Sequence, residues 1–327
     1  MRLYYSYLSD VGNVRTINED CLFVGKIGKD AYLFIVADGM GGHDAGEVAS
    51  YKAVSMFVKR MKKGVEGNIP EVLKQIVLSI NEILFHEGKK AANYKGMGTT
   101  LTALYIKDDK GYIAHVGDSR VYRYGDENLE QLTEDHSLVG KLLKGGFITK
   151  KEAHSHPKRN VLYQSVGLKQ GIEVECIGPI PIQMGQKFLL CSDGLSNEVV
   201  ETEISEFLKL NSTKRIVDEL IKLAKTRAAS DNITVIAIST EKDETAELED
   251  TVKIATPVRI LKNKKKKIGF FILLGLLILL LIALIYILIQ NFQKESAEGN
   301  EGDTLTTSND QILITNRERR TKWKGKF

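Results

Sequence analysis

The sequence predicts an α+β fold in which antiparallel β-sheets are covered by long helices. Three features of residues 1–240 indicate this class: strand-like apolar runs lie close together, short turns rich in glycine and aspartate join them, and the helix-like segments are long. Antiparallel strands can follow each other through tight turns, whereas parallel strands need a long crossover connection. A doubly wound parallel sheet is therefore the less favoured arrangement.

The predicted elements follow one another along the chain. Strands at 21–27 and 31–37 flank the turn Gly28-Lys29-Asp30, which indicates a hairpin. A helix is expected from 44 to about 62, because Asp44 and Glu47 resemble a capping box. A second helix is expected from Pro70, which suits a first turn, to about residue 92. Later strands are predicted at 98–107, 111–117, 120–125, 187–192 and 233–238, with a helix at 213–229.

The composition is that of a globular protein with room for a large core, since 43% of the 327 residues are apolar and 27% are charged. The formal net charge of +4 is a local feature. Arg259, Lys262 and the lysines at 264–267 contribute six positive charges without an intervening acid, which leaves −2 for all other residues. No nucleic-acid partner is therefore expected.

The three cysteines, Cys21, Cys176 and Cys191, are odd in number and form no CxxC pair. Cys21 and Cys191 lie within apolar, strand-like runs, so we interpret them as small buried residues in a reducing compartment rather than as disulfide partners or metal ligands. No long apolar stretch occurs near residue 1, and no signal peptide is expected.

Residues 268–289 form an uninterrupted apolar run. At about 1.5 Å per residue, a helix of this length would extend roughly 33 Å and cross the hydrocarbon core of a bilayer. The bases just before the run predict a single-pass protein of the cell membrane, with residues 1–267 in the cytoplasm. Residues 241–267 would then be a juxtamembrane linker and 290–327 an external, disordered tail.

Aspartates stand where they could bind a cation. Three of them end strand-like runs and a fourth opens one, and a carboxylate at the rim of a buried strand is costly unless its charge is compensated. We expect these side chains to converge on a shared ion, and an all-oxygen ligand set selects magnesium or manganese rather than zinc or copper. The candidates are Asp10, Asp20, Asp38, Asp118, Asp193 and Asp231.

Two further motifs carry chemistry. Residues 38–43, Asp-Gly-Met-Gly-Gly-His, are rich enough in glycine to permit unusual backbone conformations and to bring the Gly39 carbonyl to a metal; the alternative is a plain turn. Arg15 could bind a phosphate through two parallel hydrogen bonds, or pair with a nearby surface acid. Glu19 and Asp20 could hold metal-bound waters or form a charged turn.

Read together and in order, the motifs become specific. Over residues 9–238 the chain resembles the bacterial metal-dependent protein phosphatases of the type-2C (PPM) family. The resemblance implies a four-layer α-β-β-α sandwich of two stacked antiparallel sheets flanked by helices, here in a membrane-anchored form. Residues 145–171 match a mobile flap beside the cleft. The other matching segments are 96–100, 117–120, 132–137, 146–162, 192–194 and 230–232.

The resemblance also implies metal ligands. Asp38 would bridge two divalent cations, manganese or magnesium. The Gly39 carbonyl, Asp193 and Asp231 would complete the set of protein ligands. Asp118, with Asp193, matches a position that holds a third, weaker ion in bacterial relatives.

The remaining roles concern the substrate. By the same resemblance, Arg15 would grip the phosphate, and Glu19 and Asp20 would act mainly through waters. Some relatives carry a histidine directly after the Asp-Gly pair and are thought to use it as general acid, but this chain has Met40, whose thioether cannot donate a proton. Water or His43 are the alternatives, and we interpret His43 as structural because it begins a helix.

The leading hypothesis is hydrolysis of phosphoserine and phosphothreonine in proteins by a water that two divalent ions activate. Ser/Thr kinases and their substrates are the expected partners. No Cys-x5-Arg loop exists for a thiol-based reaction. Two alternatives stay open: a phosphatase dedicated to one membrane-bound kinase or to an anti-sigma-factor antagonist, and a membrane-anchored module that binds phosphoproteins without turnover.

Overall fold

The structure is a computed structural model of the 327-residue chain. It describes residues 1–28, 30–42, 45–90, 94–243, 253–255, 275 and 277–290. Residues 1–260 form one compact unit and residues 261–327 a second. Every described strand and every candidate site residue belongs to the first unit. The predicted domain boundary at residue 240 stays a prediction.

Strands and helices alternate in groups along the first unit. The strands are β1 (Tyr4–Asp10), β2 (Asp20–Lys26), β3 (Ala31–Met40), β4 (Gly98–Thr99), β5 (Leu101–Lys107), β6 (Lys110–Val116), β7 (Arg120–Gly125), β8 (Asn128–Gln131), β9 (Glu175–Pro181), β10 (Lys187–Cys191), β11 (Ile233–Ser239) and β12 (Lys253–Ala255). The helices are α1 (Ala45–Met61), α2 (Ile69–Lys90), α3 (Leu138–Lys144), α4 (Lys150–Ser155), α5 (Asp193–Ser196), α6 (Glu201–Leu208) and α7 (Thr213–Thr226).

The strands form two antiparallel sheets, as predicted. One has the order β1-β11-β10-β7-β8, and the other has the order β12-β2-β3-β5-β6-β9, with β4 paired to β3. Two tight hairpins explain part of this topology, because both central residues of each turn have positive φ, the geometry that matches the twist of antiparallel strands. These are Asp108 and Asp109 between β5 and β6, and Asp126 and Glu127 between β7 and β8.

Three hydrophobic cores confirm the four-layer arrangement. Because side chains alternate along a strand, Leu22 and Val24 of β2 pack between the two sheets. Cys21 and Phe23 of the same strand pack on the opposite face, against α1 and α2. A third core joins the β1-containing sheet to α5, α6 and α7.

Some short elements were not predicted from the sequence. Strands β1, β8 and β9 lack a long apolar run, and α3 to α6 are all eight residues or shorter. The predicted helix 213–229 ends earlier, at Thr226, because Ala228 adopts a positive φ of 61° that is incompatible with helix.

The predictions for the C-terminal part can be compared with the structure only where residues are described, at 241–243, 253–255, 275 and 277–290. Within the predicted linker, Lys253–Ala255 forms β12 along the edge of β2, while 244–252 and 256–267 lie outside the described residues. Residues 277–290 are helical and exposed. In the part of the chain that the structure describes, no helix is both long enough and apolar enough to cross a membrane. Residues 268–274 and 276 of the predicted span and the tail 291–327 are not among them.

Candidate metal centre

The centre is built first by two neighbouring strands. Asp20 opens β2 and lies directly opposite Asp38 near the end of β3. The Asp20 Oδ2 atom then reaches the other sheet, where it accepts hydrogen bonds from Ser192 Oγ at 2.8 Å and from Thr234 Oγ1 at 2.7 Å. One buried carboxylate therefore ties the two sheets together at this edge.

The predicted carboxylates converge on this edge. Asp193 begins α5 directly after β10, and Asp231 precedes the neighbouring β11. Burial raises the pKa of Asp38 well above its ordinary value, and the charges of Asp20, Asp193, Asp118 and Asp231 raise that pKa further. Five of the six candidate aspartates thus act on one another, which is what a shared cation site requires.

The electrostatics of the cluster call for added positive charge. Burial raises the pKa of Asp20 to about 7 and the pKa values of Asp193 and Asp118 in the same direction. The Oδ1 atoms of Asp20 and Asp193 are buried and receive no hydrogen bond from the described residues. Buried anionic oxygens without donors are costly, and a hard divalent cation satisfies them. The residues therefore fit a magnesium or manganese site.

Arg15 lies at the open side of the cluster. One of its terminal nitrogens is 2.9 Å from Asp231 Oδ2 and the other is 3.7 Å from Glu19 Oε2. The Arg15 side chain is 46% exposed, so a ligand in solvent can reach it. The sequence left two roles open for Arg15, an ion pair with a nearby acid and the binding of a phosphate. The structure is compatible with both, because Arg15 pairs with Glu19 and Asp231 and lies beside the predicted metal ligands.

Gly39 lies where β3 passes so close to the start of α1 that no side chain fits between them. Its N–H donates to the Glu19 carbonyl at 3.2 Å. A Cβ atom at Gly39 would lie 2.2 Å from the Gly46 carbonyl oxygen and 2.6 Å from that of Glu19. Gly39 is therefore more than a flexible turn residue, since only glycine lets the start of α1 approach β3. His43 and Asp44 lie outside the described residues.

Two asparagines at the site were not singled out from the sequence. Asn232 donates from Nδ2 to the carbonyls of Val11 and Ile17, both at 2.9 Å, and accepts from Glu19 N–H at 2.8 Å. It thereby fastens the loop that carries Arg15. Its place directly after Asp231 was the available signal.

The second asparagine supports a predicted metal ligand. Asn197 donates from Nδ2 to Asp193 Oδ2 at 2.9 Å and lies 3.4 Å from Asn160 Oδ1 in the flap. The spacing of four residues places Asn197 and Asp193 on one side of a helical turn. That spacing is the signal that a closer reading of the sequence could have used.

Asp10 does not join the cluster. Its Oδ2 pairs with Lys225 Nζ at 2.8 Å, and its Oδ1 accepts a hydrogen bond from Gly12 N–H at 2.9 Å. The end of β1 packs against α7, so the nearest cation for this carboxylate is a lysine of that helix. The structure thereby corrects the expectation that Asp10 shares the ion with the other aspartates.

A cleft opens beside the centre. It has a volume of about 600 Å³, is lined by residues of α3, α4, α5 and α6, and is also bordered by Asp118 and Asp193. The predicted flap 145–171 contains α4. Leu162 of the flap forms an antiparallel bridge with Ser137, which itself borders the cleft.

A second group of potential metal ligands occurs among the described residues, and the hydrogen bonds of His115 argue against a metal there. His115, His136 and Glu175 have potential ligand atoms within 4.8 Å of one another. Both ring nitrogens of His115 are already hydrogen-bonded, Nδ1 with Thr102 Oγ1 at 2.8 Å and Nε2 with the Glu134 carbonyl at 2.9 Å. Burial lowers the pKa of His115 to about 3. It is therefore a neutral histidine of the buried core.

Two helix-covered antiparallel sheets with converging carboxylates beside a cleft define a protein built to bind divalent cations. The family model of protein phosphatase 2C matches residues 13–235. The chain belongs to the protein phosphatase 2C family.

Individual relatives agree with this assignment. The chain is 38% identical over 253 residues to the serine/threonine phosphatase stp of Listeria monocytogenes. The alignment covers 76% of this chain and 99% of the relative. It is similar to the crystal structure of the serine/threonine phosphatase PstP/Ppp of Mycobacterium tuberculosis, with 34% identity, a TM-score of 0.67 and coverage of 74% and 100%. The catalytic domain of PstP in complex with two manganese ions gives 33% identity, a TM-score of 0.65 and coverage of 72% and 97%.

Proposed function

We propose that this chain is a protein serine/threonine phosphatase that hydrolyses phosphoserine and phosphothreonine with the help of divalent metal ions. One observation carries the proposal: five carboxylates that are far apart in sequence meet at one edge of the sandwich, and two of their buried oxygens lack a donor. The names of the relatives supply the substrate class.

We infer the ligand set from the family resemblance, and the positions of these residues support it. Asp38, the Gly39 carbonyl, Asp193 and Asp231 would hold two divalent cations, manganese or magnesium, and Asp118 together with Asp193 would hold a third, weaker one. Bound there, the cations lower the pKa of a water and offset charge on the phosphoryl oxygens. The two manganese ions of the PstP structure support this number and this metal.

The chain's own residues orient the reaction. Asp20 keeps its Oδ1 aimed at the cluster because Ser192 and Thr234 hold its Oδ2. Glu19 lies within reach of Arg15 and acts with Asp20 through waters. Arg15 binds the phosphate through Nη1, the terminal guanidinium nitrogen that does not contact Asp231.

A water, rather than a side chain, is the nucleophile. Burial raises the pKa of Cys21 to about 12 and that of Cys191 to about 12. Thiolates at these positions are therefore scarce near neutral pH. Met40 donates no proton, so the leaving group takes its proton from water or from His43.

Hydrolysis assays test the proposal directly. We expect the full chain to hydrolyse p-nitrophenyl phosphate and a phosphoserine peptide when manganese is added, and to stop when the metal is chelated. A folded chain that binds the phosphopeptide but releases no phosphate at any manganese concentration would establish the non-catalytic module instead. A panel of phosphoproteins, including membrane kinases and an anti-sigma-factor antagonist, separates a broad phosphatase from a dedicated one.

We infer a membrane anchor from the sequence alone. The apolar run 268–289 and the six bases before it support a single-pass span with the phosphatase domain in the cytoplasm. Ser/Thr kinases in the same membrane are then the nearest substrates, because tethering raises their effective concentration. The full chain should stay in the membrane fraction after alkaline carbonate washing, and its release into the supernatant would reject the anchor.

A further inference from the structure

The flap side of the cleft is strongly basic. Residues 138–163 carry six basic side chains and a single acidic one, Glu152. All of the bases except Lys158 border the 600 Å³ cleft. The bordering bases are Lys141, Lys144, Lys150, Lys151 and Arg159. Acids border the cleft as well, but all of them come from outside residues 138–163, so the positive charge belongs to the flap side. The bordering acids are Asp118, Glu134, Asp135, Asp193 and Glu201.

Part of this charge is neutralised within the chain. Each of three bases has an acidic neighbour, so its charge is largely balanced before a ligand arrives. The pairs are Lys144 with Glu134 at 2.7 Å, Lys150 with Glu201 at 2.6 Å and Arg159 with Glu198 at 3.8 Å.

Two bases of the cleft are not balanced in this way. Lys141 holds its ammonium 3.7 Å from the centre of the Tyr163 ring, and no ion pair of Lys141 or Lys151 with an acid occurs among the described residues. Both lysines are exposed and both border the cleft. They offer two positive charges to a bound molecule, on the same side as the flap.

Apolar side chains lie between these charges. Val139 and Leu143 come from α3, and Val199 and Val200 directly precede α6; of these, Val139 and Val199 are buried, so Leu143 and Val200 offer the accessible apolar surface. Val200 is 41% exposed although it is apolar. A volume of about 600 Å³ admits several side chains of an extended peptide. The cleft therefore suits a ligand that combines apolar groups with negative charge.

We propose that this cleft docks the residues flanking the phosphorylated side chain of a substrate protein, and that it selects acidic segments interspersed with apolar residues. The proposal rests on the phosphatase function above, because Asp118 and Asp193 are among the residues that border the cleft and a chain bound there would lie beside the phosphate. Lys141 and Lys151 attract aspartate or glutamate there. A basic segment meets like charge and is disfavoured.

Matched phosphoserine peptides test the selection. Three peptides identical except for glutamate, glutamine or lysine at the flanking positions are hydrolysed by the full chain with manganese. We expect kcat/KM to fall in that order, by roughly tenfold from the glutamate to the lysine peptide, as two partly exposed ion pairs would give. In the double variant Lys141→Gln, Lys151→Gln the ratio between the glutamate and glutamine peptides should approach one.

Lys158→Gln is the matched control, because Lys158 belongs to the same flap but does not border the cleft. It should leave the ratio unchanged, and the glutamate preference should shrink as salt rises from about 0.05 M to about 0.3 M. Equal rates on all three peptides, or an equal effect of Lys158→Gln and the double variant, would overturn the proposal.

A binding measurement separates this proposal from the phosphatase function. Fluorescence anisotropy of an unphosphorylated glutamate peptide reports the cleft without turnover. Binding that the double variant weakens supports the cleft even if no peptide is hydrolysed, whereas hydrolysis without glutamate preference rejects the cleft and keeps the function. A membrane role of the basic flap is the competing outcome: it holds if the double variant reduces sedimentation with phosphatidylserine vesicles and leaves the peptide preference intact.

Discussion

Asp20 and Asp38 face each other across neighbouring antiparallel strands, a position where like charges destabilise a sheet. The Asp20 Oδ2 atom accepts two hydroxyl hydrogen bonds, while its buried Oδ1 receives none. Such an arrangement lowers the stability of the chain unless protons or cations balance the charge. The edge of the sandwich is therefore organised for binding an ion rather than for stability.

Replacing the central carboxylate tests this organisation. Asp38→Ala should lose metal-dependent hydrolysis by more than the roughly 10–100-fold typical of groups that only support a ligand. The thermal midpoint without metal should stay the same or rise, because a source of repulsion is removed. Hydrolysis of p-nitrophenyl phosphate and differential scanning fluorimetry measure the two effects.

Asp10→Asn is the matched control for Asp38→Ala, since Asp10 also ends a strand but pairs with Lys225. Its activity should stay within about twofold of the unchanged chain, as for most substitutions away from a site. Wild-type turnover in Asp38→Ala would refute the assignment of Asp38 as a metal ligand.

The metal-free chain should lose stability as pH rises. Burial raises the pKa of Asp20 from an ordinary value of 3.8 to about 7 in the folded state. Between these pH values the fold holds a proton that the unfolded chain releases, so stability is full below about pH 4 and is lost toward pH 7. The loss between pH 5 and pH 7 should be about 2–3 kcal/mol from this group.

Urea unfolding of metal-stripped protein across this pH range measures the loss. Added manganese should flatten the pH dependence, because bound cations stabilise the ionised carboxylates. Asp20→Asn should give a shallower slope than the unchanged chain. A slope of the same steepness in that variant would show that Asp20 is not the titrating group.

Two glycines of the same motif should respond differently to alanine. Gly39→Ala places a Cβ atom 2.2 Å from the Gly46 carbonyl oxygen, so the start of α1 or the end of β3 must move. A loss of roughly 2–4 kcal/mol or more is expected, as for overpacking and strain at a special position. Gly42→Ala places a Cβ atom that meets no atom of the described residues within 4 Å, and it should be tolerated. Chemical denaturation of both variants decides, and equal stabilities would contradict the tight crossing.

Asn197 should tune metal affinity through Asp193. Asn197→Ala removes the 2.9 Å hydrogen bond to Asp193 Oδ2, which leaves that carboxylate free to rotate. The manganese concentration for half-maximal activity should rise about 10–100-fold, with a smaller change in kcat at saturating metal. Asn160→Ala removes only the 3.4 Å contact in the flap and serves as the control. An unchanged manganese requirement in Asn197→Ala would mean that the amide has no part in holding Asp193.

Arg15 should act on phosphate binding. Arg15→Ala should raise KM for phosphopeptides by roughly 10–100-fold, because the variant loses hydrogen bonds to a charged group. Arg2→Ala removes another arginine, one that packs over Tyr4, and should leave KM unchanged. An increase of the same size in both variants would point to a general charge effect instead of a phosphate contact.

Much of the fold was predictable because its signals are local. The apolar runs of β2 and β3 and the turn residues between them lie within a few positions of one another, and they predicted the hairpin closely. The short helices α3 to α6 escaped prediction because elements of this length owe their stability to packing rather than to their own sequence. The class of ion was also predictable, since carboxylate oxygens alone restrict it.

By itself, the amino-acid order determined which side chains could serve as ligands and that antiparallel strands would present them. Only the tertiary structure decided which of them meet: Asp20 bonds to Ser192 and Thr234, partners 172 and 214 positions away, while Asp10 turns to Lys225. The same packing pairs Arg15 with Asp231, places Asn197 in hydrogen-bond contact with Asp193, and lets Asn232 fasten the loop that carries Arg15. Strand register and the stacking of two sheets are long-range properties, set by the sum of many buried contacts, and no short segment of the chain encodes them.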